Sequence, residues 1–236
     1  MRVFVGTMES GEADFDDCQA AIRRQTHKDV YHFVVSGLPE PEAHAALYEM
    51  WERVKSHHDL FLKVDADTVL AHDNVIAEHV ALFAANPHLT GTQAWLYDYM
   101  TDGKIFGLGC MRNTVTLTKS TNPLYPDRVD EKHDQVLRGD ALPAALNPAG
   151  NHCMHPTDRQ AFHYGLHRTL KNQHENMDRV RAGWNRQRDR ARALALLGAQ
   201  AAPQFRKNLK FNYGDLEFHR AFQDAIDNFD ERVKAL

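Results

Sequence analysis

The feature that most narrows the fold of this chain is an alternation of strand and helix signals from Val3 to Ala85. Val3-Phe4-Val5 is an apolar strand, Gly6 to Gly11 a polar turn, and Phe15 to Gln25 a helix with Phe15, Cys18, Ala21 and Ile22 on one face. Tyr31 to Val35 is a second strand ending at Ser36-Gly37. Pro39 to His57 is a second helix, with Leu47, Met50, Trp51 and Val54 spaced as a core stripe. A third strand enters Phe61 to Leu70, and Asn74 to Ala85 is a third helix closed by Asn86-Pro87. Strands separated by helices require crossover connections, hence a largely parallel sheet covered on both faces. Ligands of such sheets bind beyond the carboxyl ends of the strands, where Gly6–Gly11, Ser36–Glu40 and Asp65–Thr68 all lie.

The third strand carries the chemistry. Phe61-Leu62-Lys63-Val64 runs directly into Asp65-Ala66-Asp67, and strand alternation predicts both carboxylates on one side. Paired carboxylates at a strand end can hold a hard divalent cation whose shell a substrate's phosphates complete. They can also serve as nucleophile and acid/base. An acidic turn with no ligand is the plain alternative.

Beyond Asn86 the pattern changes. Thr92 to Met100 and Lys104 to Asn113 flank the hairpin signal Thr101-Asp102-Gly103, and Trp95, Tyr97 and Tyr99 alternate with Ala94, Leu96 and Asp98. An antiparallel element therefore joins the parallel one, giving a mixed sheet. From Thr114 to Pro156 periodicity is poor, and a stretch of that kind inside a compact domain is usually functional or mobile. It holds Asp127, Asp130, Glu131 and Asp134, then His152 and His155. A helical extension follows, with a start at Thr157-Asp158, a body from Gln160 to Gln173, a second helix from Met177 to Leu197, a connector, and a terminal helix from Asp215 to Val233. The expected division is a catalytic domain over 1–156 and a helical extension over 157–236 packed on it.

With 32 acidic and 28 basic residues the formal net charge is −4, which gives no global reason to expect nucleic acid as a partner. No apolar segment is long enough to span a bilayer, and Arg2-Val3-Phe4-Val5 is too soon interrupted for a signal peptide. Three scattered cysteines, Cys18, Cys110 and Cys153, suit a reduced, cytoplasmic setting. Arg179, Arg181, Arg186, Arg188, Arg190 and Arg192 crowd the second helix of the extension. They form either a solvated face with i,i+4 pairs or a peripheral docking surface for an anionic membrane or a phosphate-bearing acceptor. His163 and His167 have a chelating spacing on a helix, but no third clear ligand accompanies them.

Three stretches together resemble nucleotide-sugar-dependent glycosyltransferases of the GT-A fold, closest to the family 2-like group. Phe4-Val5-Gly6-Thr7-Met8-Glu9, continuing through Cys18, Ile22 and Gln25, is similar to that family's opening strand, turn and first helix. Lys63-Val64-Asp65-Ala66-Asp67 resembles its Asp-x-Asp metal and nucleotide motif, and Asp134-Gln135-Val136-Leu137-Arg138-Gly139 the tail of its acidic acceptor-site motif. The likeness covers roughly residues 2 to 155. It implies a mixed, mostly parallel Rossmann-like sheet and a nucleotide-sugar donor contacted by Thr7, Glu9, Ser36, Asp65 and Asp67. It implies Mn²⁺ or Mg²⁺ on Asp65 and Asp67, completed by His152 or His155. It further implies a glycan, lipid-linked or small-molecule acceptor whose hydroxyl is deprotonated in an inverting displacement. Asp134 is the expected base, with Glu131 and Asp130 as alternates. Two departures stand out: Ser36 falls where the family commonly has a base-reading aspartate, and Lys132 where it has an acidic residue.

Two rival readings share these residues. Asp65-Ala66-Asp67-Thr68-Val69 also fits the opening motif of haloacid dehalogenase-type phosphatases. Two strand–helix units precede it here, and no downstream acidic motif completes the site. The other rival is a non-catalytic nucleotide-sugar-binding protein on a degenerate glycosyltransferase fold.

Overall fold

The computed structural model describes residues 1–117, 120–126 and 135–236. These fall into two compact units. The first comprises Met1–Asp98, Gly103–Thr121 and Tyr125–Met154; the second comprises Tyr99–Asp102, Asn122–Leu124 and His155–Leu236.

The first unit is built on strands β1 (Val3–Glu9), β2 (Val30–Ser36), β3 (Leu60–Lys63), β4 (Thr68–Leu70), β5 (Gly91–Asp98), β6 (Gly103–Arg112), β7 (Val136–Arg138) and β8 (Gly150–His152). They form one sheet in the order β2-β1-β3-β6-β5-β8-β4, with β7 also on β5. Pairings β1–β2, β1–β3, β5–β7 and β5–β8 are parallel, while β3–β6, β5–β6 and β4–β8 are antiparallel. The sheet is thus mixed, and parallel pairing does not dominate it as the early crossovers suggest. The antiparallel share comes from the hairpin and from the chain's return along β4 and β8.

Helices α1 (Phe15–Arg24), α2 (Glu40–Val54) and α3 (Val75–Ala85) supply the crossovers. Alternation along β1 and β3 sorts their partners. Val3, Val5, Leu60 and Leu62 pack with Cys18, Ala21 and Ile22 of α1 and with Val75, Ile76 and Phe83 of α3. Phe4 and Phe61 point the other way, onto Leu47, Tyr48 and Trp51 of α2, where Trp51 stacks on Phe61 with centroids 5.3 Å apart. Gly6 leaves room for this contact, since a Cβ there would lie 2.5 Å from Leu47 Cδ1 and 2.8 Å from Phe61 Cε2 and would make those side chains shift.

The second unit contains α4 (Asp158–Leu170), α5 (His174–Gln187), α6 (Arg190–Ala201), α7 (Leu216–Asp227) and α8 (Phe229–Val233). Thr157 and Gln160 cap α4 reciprocally: Thr157 Oγ1 accepts from the Gln160 amide at 3.2 Å, and Gln160 Oε1 from the Thr157 amide at 3.1 Å. The single helix expected from Met177 to Leu197 is two. Arg188 sits in the left-handed region (φ 53°) and closes α5, and the Asp189 side chain caps α6 by accepting from the Arg192 amide at 2.9 Å. Among the described residues, no helix is long and apolar enough to cross a membrane.

Candidate functional site

β3 ends at Lys63, so Asp65 and Asp67 lie beyond the strand rather than along it. The Val64 amide still donates to the Gly6 carbonyl at 3.0 Å, and the Thr68 amide donates to the Asp65 carbonyl at 2.8 Å, turning the chain into β4. The buried side chains of Val64 and Ala66 anchor this turn. The carboxylates between them are therefore held by separate partners. Lys63 Nζ donates to Asp65 Oδ1 at 2.5 Å, while Asp67 Oδ1 lies 3.5 Å from His152 Nε2.

Strand register delivers that histidine. His152 pairs with Thr68 across β4–β8 and with Asp98 across β5–β8. Asp98 is completely buried, and its Oδ1 lies 2.7 Å from His152 Nδ1. The imidazole thus stands between two carboxylates, one sealed and one partly open.

The electrostatics follow. Burial pushes the Asp67 carboxyl up to about 6, helped by the charges of Asp65, Glu12 and Asp98 and opposed by His152. Burial also acts against ionised Asp65, but the adjacent Lys63 ammonium outweighs it and holds that carboxyl below its ordinary value. The Cys18 thiol, 3.6 Å from the Asp65 carbonyl oxygen, is pushed up to about 12 by burial and then by Asp67 and Asp65. It remains a thiol, unsuited to act as a nucleophile.

A divalent cation is one ligand whose fit to this cluster can be tested by spacing. Two adjacent ligands on a first-row ion at bonds of roughly 2.1 Å sit about 3 Å apart. The 3.5 Å between Asp67 Oδ1 and His152 Nε2 is close to that spacing. Among the described residues of this unit, no three carboxylate, imidazole or thiol donors lie within 4.8 Å of one another. Asp67 and His152 could supply at most two donors, so Mn²⁺ or Mg²⁺ would need oxygens from a ligand or water to complete its shell.

The other residues singled out from the sequence are distributed as follows. Glu9 and Ser36 are register partners at the ends of β1 and β2, with Ser36 exposed. Glu9 accepts from the Gly11 amide at 2.6 Å. Thr7 is fully buried, and its hydroxyl meets His32 Nε2 at 3.0 Å. His155 is exposed and belongs to the second unit. Asp130, Glu131 and Asp134 lie outside the described residues. In the second unit, the His163 and His167 rings are 5.2 Å apart and pack against Phe211. Burial, reinforced by the Lys171 charge, pushes both imidazoles down and keeps them neutral.

Sequence reasoning passed over Asp98 and Lys63 as site residues. Each carried a signal. Asp98 is in phase with the inward-facing Ala94 and Leu96, and Lys63 interrupts an otherwise apolar run.

Comparison with known proteins adds little. No family model matches the chain, and no curated protein matches it. Among solved structures, the crystal structure of A197 from STIV aligns with 48% of this chain and 65% of its own, at 14% identity and a TM-score of 0.36. The match thus spans less than two thirds of that protein, and it is too slight to bear on fold or function.

Proposed function

We propose that the first unit binds a nucleotide sugar through a divalent cation and transfers the sugar to an acceptor hydroxyl. The observation that carries this reading is the Asp67–His152 pair, 3.5 Å apart just beyond the carboxyl end of parallel strand β3. Asp67 Oδ1 and His152 Nε2 would hold Mn²⁺ or Mg²⁺. A cation there supplies charge neutralisation for the departing diphosphate. Lys63 keeps Asp65 ionised but also pairs with it, which holds that carboxylate away from the Asp67–His152 seat. Glu9 and Ser36, adjacent at neighbouring strand ends, would face the nucleotide. Thr7 would act from beneath, by steadying His32. One carboxylate takes the proton of the acceptor hydroxyl in an inverting displacement, and the sequence nominates Asp134, with Glu131 and Asp130 as alternates. The acceptor is a glycan, a lipid-linked sugar or a small molecule.

Calorimetry with a panel of nucleoside diphosphates, with and without Mn²⁺, tests this. Wild-type protein should show Mn²⁺-dependent binding, and Asp67→Ala should lose the metal-dependent part while keeping its circular dichroism spectrum. Undiminished metal-dependent binding in that variant removes the assignment.

A further inference from the structure

We propose that Asp98 is the positioning residue of the His152 imidazole: its buried carboxylate holds the proton on Nδ1, so that Nε2 is the nitrogen turned to Asp67 and to a cation. The cation clause rests on the function proposed above; the placement of the proton does not.

Three observations converge. The first is backbone register. β8 lies between β4 and β5, and His152 is the register partner of Asp98 on β5 and of Thr68, the residue after Asp67, on β4, so the strand pairing fixes Asp98 beside the ring. The second is chemistry. With Asp98 ionised, its carboxylate can only accept, and the 2.7 Å contact between Asp98 Oδ1 and His152 Nδ1 then places the hydrogen on Nδ1. Nε2, 3.5 Å from Asp67 Oδ1, is then the nitrogen that can meet a metal. The third is placement. Asp98 continues the inward phase of Ala94 and Leu96, where an apolar side chain would pack without desolvating a charge. A buried carboxylate behind a histidine is the arrangement by which proteins orient metal-ligating imidazoles and raise their basicity. A nitrogen donor also shifts a seat toward Mn²⁺ and later first-row ions over Mg²⁺ and Ca²⁺.

The test is nitrogen NMR of the full chain with ¹⁵N-labelled histidine, the His152 signals being those lost in His152→Gln. In metal-free protein at alkaline pH, where the ring is neutral, His152 should carry its proton on Nδ1. A spectrum with Nε2 protonated as the major form overturns the proposal, whatever any variant does. A carboxamide in place of the carboxylate could accept from or donate to Nδ1, so Asp98→Asn should mix the two tautomers. It should also weaken Mn²⁺ binding, read by electron paramagnetic resonance, by about 10- to 100-fold. An unchanged tautomer together with unchanged Mn²⁺ affinity in Asp98→Asn overturns it as well. If the wild-type tautomer is as stated but no Mn²⁺ binds, the positioning role stands and the cation reading fails.

Discussion

Asp67 carries a charge that the folded chain resists. Its carboxyl, near 3.8 in the ordinary case, sits at about 6, chiefly through burial. The folded state therefore binds more protons than the unfolded state between those values, and stability contributed by this group falls as pH rises through the window. The loss is complete above about pH 6. It amounts to at most about 3 kcal/mol, reduced because the side chain keeps 18% of its exposure. Asp67→Asn should therefore raise the melting temperature of metal-free protein at pH 7 and leave it unchanged near pH 4. Equal melting temperatures at both pH values would contradict this account. Asp65 and Asp67 were legible because carboxylates rarely end an apolar run without a reason. That they answer to different partners was not, because it depends on β3 stopping at Lys63 and on a histidine from β8.

The existence of the long elements could be read from periodicity, and their interruptions could not. The helix expected from Met177 to Leu197 runs through Arg188 and Asp189 in sequence, although a left-handed residue and a side-chain cap split it into α5 and α6. The split changes what the arginines do. Arg192, counted among a charged face, is 1% exposed. It donates to the carbonyls of Met100 at 3.1 Å and of Tyr99, and it is paired with Asp189. Arg186 is tied to Asp102 at 2.7 Å and Arg190 to Asp158 at 2.8 Å, which leaves less charge available to a membrane than composition suggested. β7 and β8, three residues each, are too short to show any period, yet β8 brings the site histidine. Within the second unit, α4 and α6 approach at their backbones. A Cβ on Gly165 would lie 1.7 Å from the Ala195 carbonyl oxygen, and one on Gly198 would lie 2.0 Å from that of Phe162. Neither obstacle is a flexible side chain, so the helices must separate to admit a methyl group. Gly165→Ala should cost about 3 kcal/mol or more, the upper end of ordinary overpacking. The check is a urea unfolding midpoint, and a variant as stable as wild type would show that the helices have slack.

Both units hold histidines whose imidazoles are pushed down by their surroundings, and these add acid sensitivity to the chain. In the first unit, His79 on α3 is 1% exposed, and its Nδ1 lies 2.9 Å from the Val75 carbonyl oxygen. Burial lowers its imidazole to about 4 from an ordinary 6.5, against a small opposing effect of that hydrogen bond. In the second unit, burial lowers His163 to about 3 and takes His167 well below 6.5. For each group the folded state binds fewer protons than the unfolded state below pH 6.5. The stability it contributes is complete above that pH and is lost as pH falls toward the folded value. For His79 the gap from 6.5 to about 4 corresponds to on the order of 3 kcal/mol. This runs opposite to Asp67, whose burden grows as pH rises toward 6, so metal-free protein should be most stable near neutrality on the histidine side and gain little beyond it. The discriminating variant is His79→Leu, which keeps an apolar side chain at the site and removes the titration. Urea midpoints measured from pH 7 to pH 4 should fall less steeply for His79→Leu than for wild type. A residual slope from His163 and His167 should persist. Parallel profiles for the two proteins would mean that His79 becomes protonated without opening the core, and the acid sensitivity would then have to come from other groups, among them His163 and His167 and the His32 imidazole that burial also lowers.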